Sequence, residues 1–362
     1  MDIFSIARPE IVAMKAYESA RNSAAADGVL LNANEAPATH VNDPEWQRLS
    51  LNRYPPPQPG VLRSRLAEMY AVDESKLLIT RGSDEGIDLL TRVFCRPGQD
   101  AIVECSPCFG RYRLAATIQG ARVIDVPRQA DNGFQIDFGK LEKVIKEEAD
   151  TRLVFLTSPN NPTGDLIDRD QLEAVLKACE GKALVVLDEA YIEFCDADSA
   201  IALIDQYANL VVLRTLSKAW AAAGVRCGIV IAQPDVIGLL KRVIAPYPLA
   251  ATAIEAALQA ITGEAVGRQQ QFVETVRQCK NDFLEFLLSC DWISEVIPSE
   301  ANFILLRVAD ADALVAWCAG RGIRIRNFTS QAQLKGCVRL TIGSAEEMAE
   351  LKLAMQAYGE QA

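Results

Sequence analysis

Apolar and polar positions divide the chain into two textures. From Val61 to about Pro246, short apolar runs alternate with longer stretches of helical periodicity. The runs at 77–80, 101–104, 122–126, 153–157, 184–187, 211–213 and 228–231 are predicted strands. Several, such as LVFL at 153–156 and LVVL at 184–187, have no polar face at all. Such strands must be covered by helices on both sides, which predicts an α/β fold with a mostly parallel central sheet.

Beyond Pro246 and Pro248 the texture changes. One long helical pattern over 252–288 leads to predicted strands near 302–307, 323–326 and 338–342, which surround a helix beginning near Ala311. The last helix is predicted to start at Ser344, where Ser-Ala-Glu-Glu supplies an N-cap and an acidic first turn. The expected organisation is a large α/β domain over 30–246, with 1–29 and 247–362 forming an N-terminal arm and a smaller α+β domain. The arm reads as an amphipathic helix to about Asp27, and 29–37 as a short strand entering an Asn-rich loop. In LNRYPPPQPG (51–60) four prolines fix φ and remove donors, which holds Tyr54 on a stiff, exposed segment suited to reaching another subunit.

Composition narrows the function classes. Apolar residues make up 50% and charged residues 23%, and charges interrupt every apolar run well short of a membrane span of roughly 20 residues. The N-terminus lacks a basic-then-apolar leader pattern, so a cytoplasmic protein without a membrane segment is expected. With 37 basic and 48 acidic residues the net charge is −11, and no basic stripe suits nucleic acid. An anionic ligand must then meet a local arginine cluster. The 10 cysteines are scattered through apolar contexts. Cys105 and Cys108 form a C-x-x-C without a second pair, so a turn is expected there and no metal site. The one histidine, His40, lies in a polar loop, which leaves histidine-based triads almost no candidate.

Candidate chemistry gathers where the sheet's strands should end, the usual ligand-binding edge of an open α/β sheet. The stretch VVLRTLSKAWAAAGVRCG (211–228) puts Lys218 at the mouth of a buried strand, with Arg214 and Arg226 on either side. In apolar, partly cationic surroundings such an amine loses proton affinity and becomes a nucleophile toward an aldehyde. Alone, it would read as a solvated loop lysine. Gly82, Ser83, Asp84, Glu85 and Gly86 open a helix whose amides and dipole suit an anion, with the two carboxylates expected to turn aside as caps; an ordinary capped helix start reads the same way. In SPNNPTG (158–164), Asn161 precedes Pro162 and is pushed out of the α region, although by itself this is a turn. Asp188, past the strand LVVL, needs a partner when buried, and a pyridinium N–H or a structural ion pair would serve; Tyr191 follows three residues on.

Taken in order, NPTG (161–164), DEAY (188–191) and SKAWAAAGVRCG (217–228) resemble the fold-type I, pyridoxal-phosphate-dependent aminotransferases over nearly the whole chain. Within that family, LNANE (31–35), LNRYP (51–55), RGSDEGI (81–87), DEAYIEF (188–194), RTLSKA (214–219) and VIAPYPL (243–249) are similar to the histidinol-phosphate branch. The resemblance implies that Lys218 holds the aldehyde of pyridoxal 5'-phosphate and moves the substrate's Cα proton. It implies that Asp188 pairs the ring nitrogen, and that Tyr191 and Asn161 bond the ring's phenolic oxygen. Ser83, the amides of Asp84 and Glu85, Ser217, Arg226 and a partner subunit's Tyr54 would hold the cofactor phosphate. Phe109 would stack on the ring, where the family more usually has tyrosine. Arg339 would grip a carboxylate or phosphate, with Arg326, Tyr17, Asn34 and a partner's Tyr247 completing the substrate pocket.

The implied reaction is reversible amino transfer between L-glutamate or 2-oxoglutarate and imidazole acetol phosphate or L-histidinol phosphate, in a homodimer. A phosphothreonine decarboxylase-like lyase and an aromatic-amino-acid aminotransferase share most of these motifs. A cofactor-binding regulatory module is the non-enzyme alternative, and the intact catalytic set argues against it.

Overall fold

Seven strands form the larger sheet of the computed structural model, which describes residues 1–15, 33–36, 38–39, 41 and 43–361. They are β1 (Leu77–Arg81), β2 (Ala101–Glu104), β3 (Arg122–Asp125), β4 (Thr151–Thr157), β5 (Leu184–Asp188), β6 (Leu210–Thr215) and β7 (Cys227–Ala232). Their order is β1-β7-β6-β5-β4-β2-β3. Strands β2 to β6 pair in parallel, whereas β7 runs against both neighbours, β1 and β6.

Alternate residues of these strands point into two separate cores, as the unbroken apolar runs require. One face carries Ile79, Val103, Leu156, Val185 and Val212 against the helices Gly60–Met69, Phe138–Glu147 and Arg169–Ala178. The opposite face carries Leu78, Ile102, Phe155, Val186 and Val230 against Ser83–Phe94, Arg111–Gln119 and Pro234–Val243. At ~25 cal/mol per Å² of apolar surface removed from water, this double burial is the main force holding the sheet. It also leaves the strand ends, where the polar residues stand, as the place for chemistry.

A second sheet comprises β8 (Ile293–Ile297), β9 (Phe303–Val308), β10 (Arg326–Asn327) and β11 (Cys337–Thr341), in the order β10-β11-β9-β8 with every pair antiparallel. Its core takes Val276, Phe283 and Leu287 from Gly263–Leu288, Leu314 and Cys318 from Ala311–Gly320, and Leu351 and Met355 from Ala345–Gly359. Ser344 caps the last helix by accepting from Glu347 N while Glu347 answers Ser344 N, the reciprocal box its sequence offers.

Several expectations need correction. The long helix expected over 252–288 is two, Ala251–Ala260 and Gly263–Leu288, because Thr262 starts the second by accepting from Ala265 N. The strand expected over 323–326 is reduced to Arg326–Asn327. Strand β8, unforeseen, is an edge strand whose mixed burial lacks an apolar run. The single helix expected in the arm is replaced, within the described part, by Ile3–Ile6 and Pro9–Ala13, divided before Pro9. Tyr17, His40 and the start of the strand expected from residue 29 lie outside the described residues.

Candidate active site

The carboxyl ends of β1, β4, β5 and β6 meet the start of β7 at one rim, because Arg81 pairs with Cys227, Thr215 with Gly228 and Thr157 with Asp188. A cleft of about 260 Å³ opens there, lined among others by Ser83, Asn161, Asp188, Lys218, Arg226 and Arg339. A larger cleft of about 640 Å³, beside Tyr70 and Trp220, contains none of these residues. Arg214 is paired there with Glu189 and Glu193, Lys76 with Asp205, and Asp73 accepts from Ser75 N. Size alone is therefore the wrong guide here.

Asp188 is only 3% exposed. One carboxylate oxygen accepts from Tyr112 Oη at 2.9 Å and the other from Ala190 N at 3.2 Å. Burial raises its acid to about 6, held back by those two donors. No salt bridge compensates it among the described residues, so a buried acid stands ready for a cationic N–H donor.

Lys218 is half-buried, its ammonium 5.6 Å from the centre of the Tyr191 ring. Burial, then the charges of Arg339 and Arg226, lower its proton affinity from the ordinary 10.5, while Asp188 and Asp84 oppose them. These are the surroundings that yield a neutral amine nucleophile. Tyr191 Oη accepts from Asn161 Nδ2 at 3.4 Å, and burial pushes this phenol up to about 12. Asn161 Oδ1 in turn accepts from Arg339 Nη1. Arg339 Nε is buried with no partner among the described residues. An orphaned guanidinium donor at a cleft is suited to a carboxylate or phosphate oxygen.

The anion end is built by close backbone approach. Gly82, with φ of +73°, precedes the helix Ser83–Phe94, whose start has no side-chain cap. Its first amides therefore lack intrahelical acceptors. A Cβ on Gly82 would lie 2.5 Å from Arg226 Nη2, and one on Gly228 would overlap Gly82 C and Ser83 N. The glycines thus let Arg226, Ser83 and Ser217 converge on one spot. Ser217 Oγ lies 2.9 Å from Thr215 Oγ1, which steadies it.

The two acidic residues behave differently from each other. Glu85 turns aside as expected, accepting from Arg81 N at 2.6 Å and from the Arg81 guanidinium, and its amide donates to Gly82 O. Glu85 is thus drawn out of the cleft. Asp84 does not turn aside; it lines the cleft and accepts from Arg226 Nη2 at 3.2 Å. An arriving phosphate would compete with it for Arg226.

Phe109 lines the cleft with its ring edge-on to Tyr112, centroids 5.7 Å apart. Tyr54, 49% exposed, stacks on Tyr247 with centroids 4.5 Å apart, and neither lines this chain's own cleft. Asn34 has φ of +54° and stands beside Glu35, which accepts from Arg53 and from Tyr54 N. Asn34 does not line the cleft either. Arg326 is exposed and pairs across the sheet with Arg339. Sequence reasoning missed Tyr112 and Thr157, which support Asp188; the only signal was a tyrosine three residues after Phe109, one helical turn away.

The donor set fits pyridoxal phosphate on structural grounds: a buried uncompensated acid, an amine of lowered basicity and an uncapped helix start with an arginine occupy one cleft. Comparison with known proteins agrees. The chain is 39% identical to a histidinol-phosphate aminotransferase of Pectobacterium carotovorum, covering 98% of both chains. It is 41% identical to one from Xanthomonas euvesicatoria, covering 98% of this chain and 97% of that one. Its fold matches the solved histidinol-phosphate aminotransferase of Sinorhizobium meliloti in complex with pyridoxal 5'-phosphate, with TM-score 0.77, 23% identity, and 85% and 83% of the two chains covered. Residues 28–355, which include every residue now placed in the cleft, match the family of class I and II aminotransferases, and the chain belongs to that family.

Proposed function

We propose that the protein is a pyridoxal-phosphate-dependent histidinol-phosphate aminotransferase, which exchanges the amino group between L-glutamate and imidazole acetol phosphate to give 2-oxoglutarate and L-histidinol phosphate, reversibly. The observation that carries this is Arg339: its buried, unpartnered Nε faces the question of an anion, and Arg326 stands opposite on β10. Two like charges on directly paired residues repel unless an anion lies between them. A substrate phosphate suits both; the carboxylate of glutamate needs only one.

When bound, the cofactor supplies an aldehyde to condense with amines and a ring that withdraws electrons. Lys218 would hold the aldehyde, and its amine is the group placed to move the proton at substrate Cα. Burial and the neighbouring arginines lower its proton affinity, which favours the unprotonated amine that a base must be. Asp188 would keep the ring nitrogen protonated, while Tyr191 and Asn161 would bond the phenolic oxygen. Ser83, the amide of Asp84, Ser217 and Arg226 would hold the phosphate, and Phe109 would cover the ring face.

The stack of exposed Tyr54 on half-buried Tyr247 supports a homodimer in which each subunit lends both rings to its neighbour's site. Asn34 and Tyr17 are assigned by resemblance to the substrate pocket. The division into a large unit over 30–246 and a smaller one is supported by the two sheets with separate cores. Among the described residues no helix is long and apolar enough to cross a membrane, and we place the enzyme in the cytoplasm.

Glutamate-dependent formation of histidinol phosphate by the purified protein tests the assignment. Activity confined to tyrosine or phenylalanine, or release of carbon dioxide from phosphothreonine, would overturn it.

A further inference from the structure

Beneath the cleft, Tyr112 has one hydroxyl proton and two oxygen neighbours: Thr157 Oγ1 at 2.7 Å and Asp188 Oδ2 at 2.9 Å. If that proton pointed to Thr157, either Asp188 would have to carry its own proton or two acceptor oxygens would face each other. With the proton on the Asp188 side, the Thr157 hydroxyl donates to Tyr112 and both contacts are satisfied. We infer that Tyr112, backed by Thr157, is a positioning residue that keeps the Asp188 carboxylate ionised and aimed into the cleft. The inference rests on the reading of Asp188 as partner of the cofactor's ring nitrogen.

Tyr112 is built to hold that geometry. It is fully buried, stacked on Phe155 with centroids 4.7 Å apart and planes 8° apart, and closed at its edge by Phe109. Burial, with Asp188 adding to it, pushes its phenol well above the ordinary 10, so it remains a donor wherever the enzyme works. Ala190 N holds the other carboxylate oxygen. Both oxygens are therefore clamped from below, and their remaining lone pairs are left for a ligand.

The charges around Asp188 make this neutral donor necessary. Asp84 and Glu189 both disfavour its ionisation, and Lys218 favours it from across the cleft. Tyr191 senses its charge from the same rim, and Cys108 stands near Tyr112 with its thiol pushed up by burial. Glu189 itself is occupied by Ser199, Ala200 N and Arg214, so that arginine serves the neighbouring acid and not this one.

The test uses the full chain with Tyr112→Phe, which keeps the ring, and Thr157→Val. Infrared titration of the cofactor-free protein reads the buried carboxyl directly, with Asp188→Asn identifying its band. Loss of a hydrogen bond to a charged group should raise the midpoint by about one pH unit in Tyr112→Phe. A smaller rise is expected in Thr157→Val, whose Tyr112 can still donate. In the loaded enzyme the acidic limb of kcat/KM should move upward with it, and pyridoxal phosphate should dissociate about tenfold more readily. A midpoint that stays put or falls overturns the proposal, a fall meaning that Asp188 is the donor. Should Tyr112→Phe fail to fold, Thr157→Val decides, since an unshifted midpoint there refutes the relay. Wild-type protein that takes up no pyridoxal phosphate would instead defeat the reading of the cleft, and the infrared titration would still decide the relay.

Discussion

Arg326 and Arg339 are directly paired residues of the antiparallel strands β10 and β11, their guanidinium carbons 5.9 and 5.5 Å from the centre of the same Phe328 ring, and Arg339 is bonded to Asn161. Like charges on paired residues cost energy in the ligand-free protein and favour an anion between them, and the Arg326 charge adds to burial in lowering the proton affinity of Arg339. Arg326→Ala should therefore raise KM for histidinol phosphate by about tenfold while changing KM for glutamate little. Arg339→Ala should damage both half-reactions, since its orphaned Nε has no substitute. Separate half-reaction kinetics distinguish the two patterns.

Replacing Lys218 with alanine should abolish transamination and the absorbance band that covalently held cofactor gives, with the fold retained. Lys218 is half-buried in a cleft, not in either core, so its loss removes little packing. A band that persists in the variant would show that another amine holds the aldehyde.

Asp188 predicts a pH dependence of cofactor-free stability. Its folded-state acid is raised to about 6 from 3.8. A raised acid contributes stability that is complete below the unfolded value and is lost as pH rises through the folded one. Cofactor-free protein should thus lose on the order of 2–3 kcal/mol from this group between about pH 4 and pH 6. Asp188→Asn should flatten that part of the profile in denaturant titrations. Added pyridoxal phosphate should recover stability on the alkaline side, where the carboxylate is charged.

Gly228→Ala should destabilise the protein by roughly 2–4 kcal/mol, because the new Cβ meets backbone atoms of Gly82 and Ser83 that cannot rotate away. The same change should weaken cofactor-phosphate binding by pushing the helix start from Arg226. Urea unfolding and phosphate-ester binding measure the two effects.

Tyr54 and Tyr247 can be assigned to a neighbour's site by complementation. Lys218→Ala and Tyr54→Ala proteins, each with activity lowered, are mixed after mild dissociation. A hybrid pair has one site with an intact Lys218 from one subunit and an intact Tyr54 from the other. Recovered activity is expected; none would mean that Tyr54 serves its own chain.

Much of the larger sheet was legible because its strands are buried on both faces and so read as unbroken apolar runs. Strands β2, β4 and β5 fell within two residues of their predicted bounds. The edge strand β8 was not legible, since Ser294 and Glu295 break its run and only pairing with β9 orders it. Lys218, Asp188, Asn161 and Arg226 were placed at strand ends by local sequence and do share one cleft. What local sequence could not reveal was contact at a distance. Tyr112 and Asp188 are far apart along the chain, and the arginine opposite Arg339 depends on the register of a two-residue strand. The fate of Asp84 was equally hidden, because the arginine that holds it in the cleft, Arg226, lies far along the chain.

The reversed direction of β7 makes the loop between Thr215 and Cys227 a spacer of fixed length. Lys218 departs on it and Arg226 returns on it to the same rim, so the chain itself measures the span between the aldehyde end and the phosphate end of a bound molecule. Adding or deleting one residue there would leave the sheet intact and put one end of the ligand out of register. Tolerance to insertion should accordingly be lowest in this segment, although much of it lies near the surface.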